Sequence, residues 1–244
     1  MHGPLRAAFL LSPLAVSCLA GTAAAQEPEW RIGSFAWMAG LEGRVAANGV
    51  AEDSFDGLND GLELSGWSVS AEWRRGPLSV FGDLTQVQVQ TADALYDAPS
   101  MTIHDGAVRA TFVEFGAGGE LCRFGAGHLD LFAGARFCDV ECVVRRRPWT
   151  LHTMTSSSDA TWLDTVLGLR SELQLAEDWQ LGLRGDLGGS FPGFSWQLQA
   201  SLERRFAMGS FAVGWRYLDI DYEDHRLSYD AALSGPFVGL LLRF

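Results

Sequence analysis

Lysine does not occur in this sequence; every basic residue is arginine. A chain without it gives up one of the residues that ordinary solvated helices use most. Eighteen arginines face thirty acids, for a formal net charge of −12. Phosphate backbones are held by a basic footprint, so nucleic acid is excluded as a partner. Long hydrophobic runs are missing too. Beyond residue 26 no apolar stretch approaches the roughly 20 residues that a transmembrane helix needs. Entry into a membrane would then require a closed barrel, the other structure that satisfies its own backbone in lipid. Chemical motifs are equally sparse. There is no G-x-S-x-G elbow, no H-x-S arrangement of a lipid A deacylase and no EF-hand order of acids. Neither a metal nor a cofactor is expected.

What is present begins with a leader pattern. The first residues, MHGPLRAAFLLSPLAVSCLAGTAAAQ, set one Arg before an apolar run and pass through small residues to Ala23-Ala24-Ala25. That reads as a secretory signal peptide over 1–25 with cleavage before Gln26, leaving 26–244 as one folded domain. A lipid-modified Cys18 would need Leu and Gly or Ala placed ahead of it, and Ala15-Val16-Ser17 do not supply them. Three cysteines follow: Cys122, Cys138 and Cys142. Export exposes them to oxidation. On one strand, however, Cys138 and Cys142 stand about 13 Å apart, too far for a disulfide. Cys122 is expected opposite the region of Leu131, short of Cys138. All three are expected as unpaired thiols, buried or facing the interior.

From Trp30 onward apolar residues recur at every second position. FAWMAGL sets Phe35, Trp37, Ala39 and Leu41 against Ala36, Met38 and Gly40. Trp67, Val69, Ala71 and Trp73 alternate with Ser68, Ser70, Glu72 and Arg74. Trp179, Leu181, Leu183 and Leu187 do so with Gln180, Arg184 and Asp186, and Trp196, Leu198, Ala200 and Leu202 with Gln197, Gln199, Ser201 and Glu203. This is the half-apolar strand pattern. Turn signals divide it into strands near 31–44, 64–75, 77–90, 106–124, 128–146, 160–176, 178–189, 194–206, 209–222 and 227–244. Four connections are tight, around Arg75-Gly76, Gly125–Gly127, Glu177-Asp178 and Ala207–Gly209; long ones fall at 45–63, 91–105 and 147–159. The expected fold is all-β, a transmembrane antiparallel up-and-down β-barrel of ten strands, with eight or twelve as neighbouring solutions. Short turns would be periplasmic and long loops extracellular. An even count puts both termini in the periplasm.

A soluble ligand-carrying barrel shows the same period, and three features separate the two. Aromatic residues stand near strand ends on the apolar face: Trp73, Trp179, Phe206, Phe211 and Phe244 on the turn side, Trp67, Phe194 and Trp196 on the loop side. That is the pattern of two interfacial girdles. The opposite face is rich in charge, which an apolar calyx would not tolerate. The chain also ends in SGPFVGLLLRF, with Val238, Leu240, Leu242 and Phe244 on one face. One segment conflicts: if Asp83 points inward, so do Val87 and Val89, and Gln86 and Gln88 would face lipid. A bulge, or a strand rising beyond the bilayer, would resolve it.

The last strand resembles the C-terminal assembly signal of bacterial outer-membrane proteins, in which a terminal Phe and alternating apolar residues are read by the insertion machinery. Taken with DSFDGLNDGLEL, FGDL, DLFAGARF, WLDTVLGLRSELQLAEDWQLGLRGDLGGSF, WQLQASLERRF, VGWRYLDIDY and LSYDAALSGPFVGLLLRF, the chain is similar to an uncharacterised family of proteobacterial outer-membrane β-barrel proteins. The resemblance spans most of residues 26–244. It implies a Gram-negative outer membrane, with its lipid and lipopolysaccharide and the barrel-assembly machinery as partners, and it brings no activity.

Candidate functional residues fall in three groups. The inward face should carry a lumen charge network of Glu72, Asp83, Glu114, Asp130, Arg136, Asp164, Arg170, Glu172, Arg184, Asp186, Glu203, Arg205, Arg216 and Arg243. Interleaved acids and arginines read either as a solute path or as a salt-bridged filling. A barrel this narrow favours filling, since open aqueous channels come at sixteen strands or more. In the acidic loop, Asp53 or Ser54 could cap a short helix with Phe55, Leu58 and Leu62 on one face, tucked into the barrel mouth. Near the outer rim, His104-Asp105 and Asp224-His225 are the residues that a surface hydrolase would use, by fold-level analogy with ten-stranded omptin-type proteases or lipid-modifying enzymes. No longer motif accompanies them. The expected function is non-enzymatic: a monomeric barrel with a structural role, narrow porin-like passage or surface binding.

Overall fold

The computed structural model describes residues 27–47, 51–57, 65–90, 95–97, 102–148, 154–191, 193–225 and 227–244. Regular structure among them is entirely β: β1 (Glu29–Trp37), β2 (Gly40–Ala47), β3 (Ala51–Gly57), β4 (Gly66–Arg75), β5 (Leu78–Gln90), β6 (Leu95–Asp97), β7 (Thr102–Phe124), β8 (Gly127–Pro148), β9 (Met154–Ala176), β10 (Trp179–Ser190), β11 (Gly193–Phe206), β12 (Gly209–Glu223) and β13 (Leu227–Arg243). Neighbours pair antiparallel in the order β1-β4-β5-β7-β8-β9-β10-β11-β12-β13, and β13 returns to pair with β1. The sheet is closed. β2 continues the line of β1 along β13, while β3 pairs with β2 and β6 with β7 beyond the ten-strand circuit. Thirteen strands less these three leave a barrel of ten.

Closure is fastened at the termini, where Trp30 N–H donates to Phe244 O at 3.1 Å and Phe244 N–H to Trp30 O at 3.0 Å. Four two-residue turns share that end, at 76–77, 125–126, 177–178 and 207–208. Gly76 and Gly125 adopt φ of 61° and 48° there, a region that penalises a Cβ.

The first wall strand, expected unbroken over 31–44, is interrupted at Met38-Ala39 by what lies opposite. Pro236 has no N–H for the ladder, and a Cβ on Gly235 would stand 1.9 Å from Met38 O. Trp37 donates its indole N–H to Gly235 O at 3.1 Å, and Met38 N–H bonds to Pro236 O at 3.0 Å. The apolar face of this segment also points inward: Trp37, Ala39 and Leu41 are buried in the core. The helix expected from Asp53 or Ser54 is corrected as well. Ala51–Gly57 is strand β3, paired along β2; the remainder of the expected helix lies outside the described residues. β2 rises past the end of β4 and would otherwise leave a row of backbone groups unpaired. Satisfying that edge outweighs the helical spacing of three apolar residues in a segment too short to hold a helix alone.

β7, β8 and β9 run for 23, 22 and 23 residues, so much of the expected loops at 91–105 and 147–159 is strand. A membrane band needs far less. From Trp196 to Phe206 the outer face rises about 26 Å, at ~3.4 Å per residue and a tilt of ~40°. Exposed Trp30, Trp179, Phe206, Phe211 and Phe244 ring the turn side of that band, exposed Trp67 and Phe194 stand with half-buried Trp196 at its loop side, and leucines such as Leu167, Leu183 and Leu198 lie between.

Above the loop-side ring the faces exchange character with no shift of register. Along β12 the inward residues run Arg216, Leu218, Ile220, Tyr222, while the outward ones run Trp215, Tyr217, Asp219, Asp221. β8 does the same, with Arg136 giving way inward to Cys138, Val140 and Cys142, and Phe137 giving way outward to Asp139 and Glu141. The Asp83 conflict has this cause. The β4–β5 and β5–β7 registers are continuous; Val87 is buried, Val89 packs against the same core, and the strand rises beyond the band. The extension is thus built like a soluble sandwich, with β7-β8-β9 packed against β12-β13-β2 around Leu41, Phe112, Val140, Trp162, Leu218 and Tyr229. Trp162 of β9 stacks on Tyr222 of β12 at 4.1 Å and 15°.

Candidate functional site

The interior of the membrane section holds the charges, in two tiers. The tier nearer the loops is organised by Arg136, which is wholly buried. Its Nε and Nη2 donate to Glu114 Oε2 at 3.1 and 2.9 Å, Nη2 also reaches Asp186 Oδ1 at 2.5 Å, and Nη1 donates to Ser195 Oγ at 3.2 Å. Arg184 pairs with the same two acids, Glu114 and, at 3.0 Å, Asp186. Asp164 accepts from Ser190 Oγ at 2.8 Å and Ser195 Oγ at 2.9 Å. Gln197 donates to Asp186 at 3.2 Å and accepts from Arg216 at 3.0 and 2.7 Å. Arg216 Nη1 donates to Thr85 Oγ1 at 3.0 Å, and Thr85 donates onward to Asp83 at 2.7 Å. Close approach needs glycine here. A Cβ on Gly188 would stand 2.4 Å from Ser195 Oγ, and one on Gly168 would stand 2.7 Å from Asp186 Cβ.

The tier nearer the turns joins Arg31 to Glu172 at 2.6 Å and Glu29 at 3.0 Å, Arg170 to Glu72 at 2.9 Å, and Arg74 to Asp130 and, at 3.3 Å, Glu72. Arg184 and Arg170 also lie over the Phe81 ring, at 5.6 and 5.7 Å. A cavity of about 160 Å³ remains between Arg31, Asp83, Arg184, Gln199 and Glu203, room for a few waters. A smaller void of about 30 Å³ adjoins it and reaches Arg216 and Trp37. Above Arg216, which lies 5.0 Å over the Trp37 ring, the apolar core fills the extension. Of the expected charges, Glu203 accepts from Ser210 at 3.0 Å and lies 3.5 Å from Arg243. Arg205 reaches no carboxylate among the described residues and donates to Gln180 instead.

The rim residues fall on separate elements. His104 and Asp105 lie on β7, opposite Arg146 and Arg145 of β8; their side chains are outside the described residues. Asp224 and His225 form the β12–β13 turn. There the Asp224 carboxylate accepts Leu227 N–H at 2.8 Å and faces Tyr222 Oη at 3.4 Å, while His225 is exposed. Asp224 thus caps a turn. No three His, Cys, Asp or Glu side chains among the described residues are grouped to hold a metal. Val238, Leu240, Leu242 and Phe244 all face outward on β13 and its end. Cys138 and Cys142 are buried in the extension core, Cys122 is half-buried, and all three are unbridged. The tight turn sets Cys122 against Leu129, near the expected region of Leu131, and the register shifts between Glu120 and Cys122.

Sequence reasoning missed two things. Thr85, Gln180, Ser190, Ser195 and Gln197 complete the polar tiers, and their place on the inward alternation was readable. The apolar extension was signalled by the Gln86/Gln88 conflict and by Asp219 and Asp221 on an otherwise aromatic face.

No protein-family model and no curated protein sequence matches the chain. Solved structures do. The outer membrane protease OmpT of Escherichia coli superposes with a TM-score of 0.53 at 10% identity, over 91% of this chain and 99% of that one. The fold is that of an outer-membrane β-barrel. Ail, the attachment invasion locus protein of Yersinia pestis, is similar at 12% identity and a TM-score of 0.39, over 90% of this chain and all of that one. Neisserial surface protein A is similar at 13% and 0.31, over 91% and 99%. At these identities the likeness concerns the outer-membrane barrel alone, and the residues inside it are this chain's own.

Proposed function

We propose that this chain is a non-enzymatic outer-membrane protein that closes its own lumen and presents a β-sandwich extension at the cell surface, for a structural or surface-binding role. The observation that carries this is an interior crossed by paired charges and capped by an apolar core. Arg136, Glu114, Asp186 and Arg184 cross the barrel as one buried cluster, and a continuous apolar core stands above them. Among the described residues, paired side chains and packed aromatics stand across the lumen, which supports a closed path in a barrel this narrow. In this reading the turns and both termini are periplasmic, the extension stands outside a Gram-negative, proteobacterial cell, and residues 1–25 are the leader. Outer-leaflet lipopolysaccharide surrounds the loop-side aromatic ring of a monomer. The outward row Val238, Leu240, Leu242 and Phe244 is what the barrel-assembly machinery reads.

Planar-bilayer recording of the purified barrel tests the proposal, with little or no single-channel conductance expected. A large, steady conductance would refute it and make the lumen charges a selectivity filter. Peptide and lipid A hydrolysis assays run beside it. Turnover that disappears in His104→Ala or Asp224→Ala would replace this reading with that of a surface hydrolase using His104, Asp105, Asp224 and His225.

A further inference from the structure

From the turns up to Leu187, Trp196 and Trp215, the outward residues of β10, β11 and β12 are apolar or glycine, with one exception, Arg204. Leu202 and Phe206 flank it on the same face. A cation in a lipid-facing row is unfavourable away from the interface, and such residues usually mark a partner. Register places Arg204 at the interface. It stands directly between Trp179 of β10 and Phe211 of β12, both members of the turn-side ring. Its guanidinium lies 5.8 Å over the Trp179 ring, a contact that orients the charge without neutralising it. Among the described residues Arg204 makes no ion pair with a carboxylate, and its side chain is exposed.

Acids stand one step nearer the water. Arg205 N–H donates to Asp178 O at 2.8 Å, which fixes the β9–β10 turn beside the end of β11. Asp178 and Glu177 are both exposed in that turn. A groove of about 490 Å³ on the outward face runs between Asp178, Arg204, Phe206 and Phe211. Toward the midplane the row above Arg204 and Phe211 is the pair Leu202 and Val213. Passing from the band to the water, the surface thus offers aliphatic side chains, a guanidinium between aromatic rings, and then carboxylates.

We infer that this outward groove binds a glycerophospholipid whose headgroup ends in an ammonium group. Such a lipid carries acyl chains, phosphate and cation in that same order. Its phosphate meets Arg204, whose planar donors suit phosphate oxygens. Its ammonium group meets Asp178, with Glu177 beside it, and its acyl chains run on over Leu202 and Val213. A headgroup with phosphate alone would set an anion beside two acids with nothing to offset them, so charge complementarity selects the zwitterion. The periplasmic leaflet as the source of this lipid rests on the reading of the turns as periplasmic; binding by the purified barrel does not.

The test is native mass spectrometry of the full-length barrel in maltoside detergent. Short-chain phosphatidylethanolamine and phosphatidylglycerol are titrated separately at matched ionic strength. The wild type should retain one phosphatidylethanolamine, with half-saturation about threefold or more below that of phosphatidylglycerol. Arg204→Met keeps contact with Trp179 and should weaken half-saturation for both lipids by about tenfold or more. Asp178→Asn with Glu177→Gln should abolish the preference between the two lipids while the barrel stays folded, as heat-modifiability on gels reports. A merely structural role for these exposed groups would not move that preference. Retention unchanged in Arg204→Met, a wild type that favours phosphatidylglycerol or neither lipid, or a preference that survives loss of both acids overturns the site.

Discussion

Asp186→Ala is the sharpest test of how the barrel interior is held together. The carboxylate accepts from Arg136 at 2.5 Å, Arg184 at 3.0 Å and Gln197 at 3.2 Å, and its side chain is inaccessible. Among the described residues, alanine leaves Arg136 and Arg184 to share Glu114 as the carboxylate within ion-pair distance, and Gln197 Nε2 loses its acceptor. Removing one partner of a buried ion pair typically costs about 3–5 kcal/mol, because the charge left behind is uncompensated. The pair itself is weak evidence for stability, so the double variant decides the matter. Arg184→Met removes the excess charge while keeping apolar contact with Phe132, over which the guanidinium now lies at 4.8 Å. Asp186→Ala with Arg184→Met should then be less destabilised than the two single changes added together, by about 1–3 kcal/mol of coupling. The measurement is denaturant unfolding in lipid or detergent, with exposed Glu223→Ala as the neutral control. Strictly additive losses, each under about 1 kcal/mol, would mean that the interior is wet and the charges are solvated.

Trp162→Ala removes the stack on Tyr222 and opens the extension core, at a cost of about 3–5 kcal/mol. Its loop-side strands should become protease-sensitive while the membrane section still resists, and uniform resistance would count against an independent apolar core. In the native barrel Cys122 should alkylate before Cys138 and Cys142, and mass spectrometry of unreduced, unfolded protein should show all three modified; a bridge among them would contradict the strand placement. Deleting Phe244 removes both hydrogen bonds with Trp30 and the end of the outward apolar row, so heat-modifiable folded protein should fall sharply on gels. Leu242→Arg places a cation near the turn-side interface, where the cost is nearer 0–1 kcal/mol than the 2–4 of the midplane, and should be the milder of the two.

The strand period, the four tight turns and the alternation of aromatic with charged residues follow from local chemistry, and they were enough to derive a closed, up-and-down barrel of ten strands. The last strand announced its outward face through Val238, Leu240, Leu242 and Phe244 alone. Inward placement of Arg136, Arg184, Asp186 and their neighbours was also legible, because a period of two needs only one residue assigned to a face. Tertiary structure decided the rest. Which acid each arginine meets depends on registers between strands far apart in sequence, such as Arg31 with Glu172, and no local pattern encodes that. The break at Met38 exists because Pro236 lies opposite it, and β3 is a strand because β2 offers an unpaired edge. The extension shows the limit most clearly. Alternation continues unbroken from Arg216 to Leu218, and only the height of the surrounding membrane turns the outward face from apolar to acidic and the inward face from charged to apolar. A period says that two faces differ. The solvent around each level of the barrel decides which face is which.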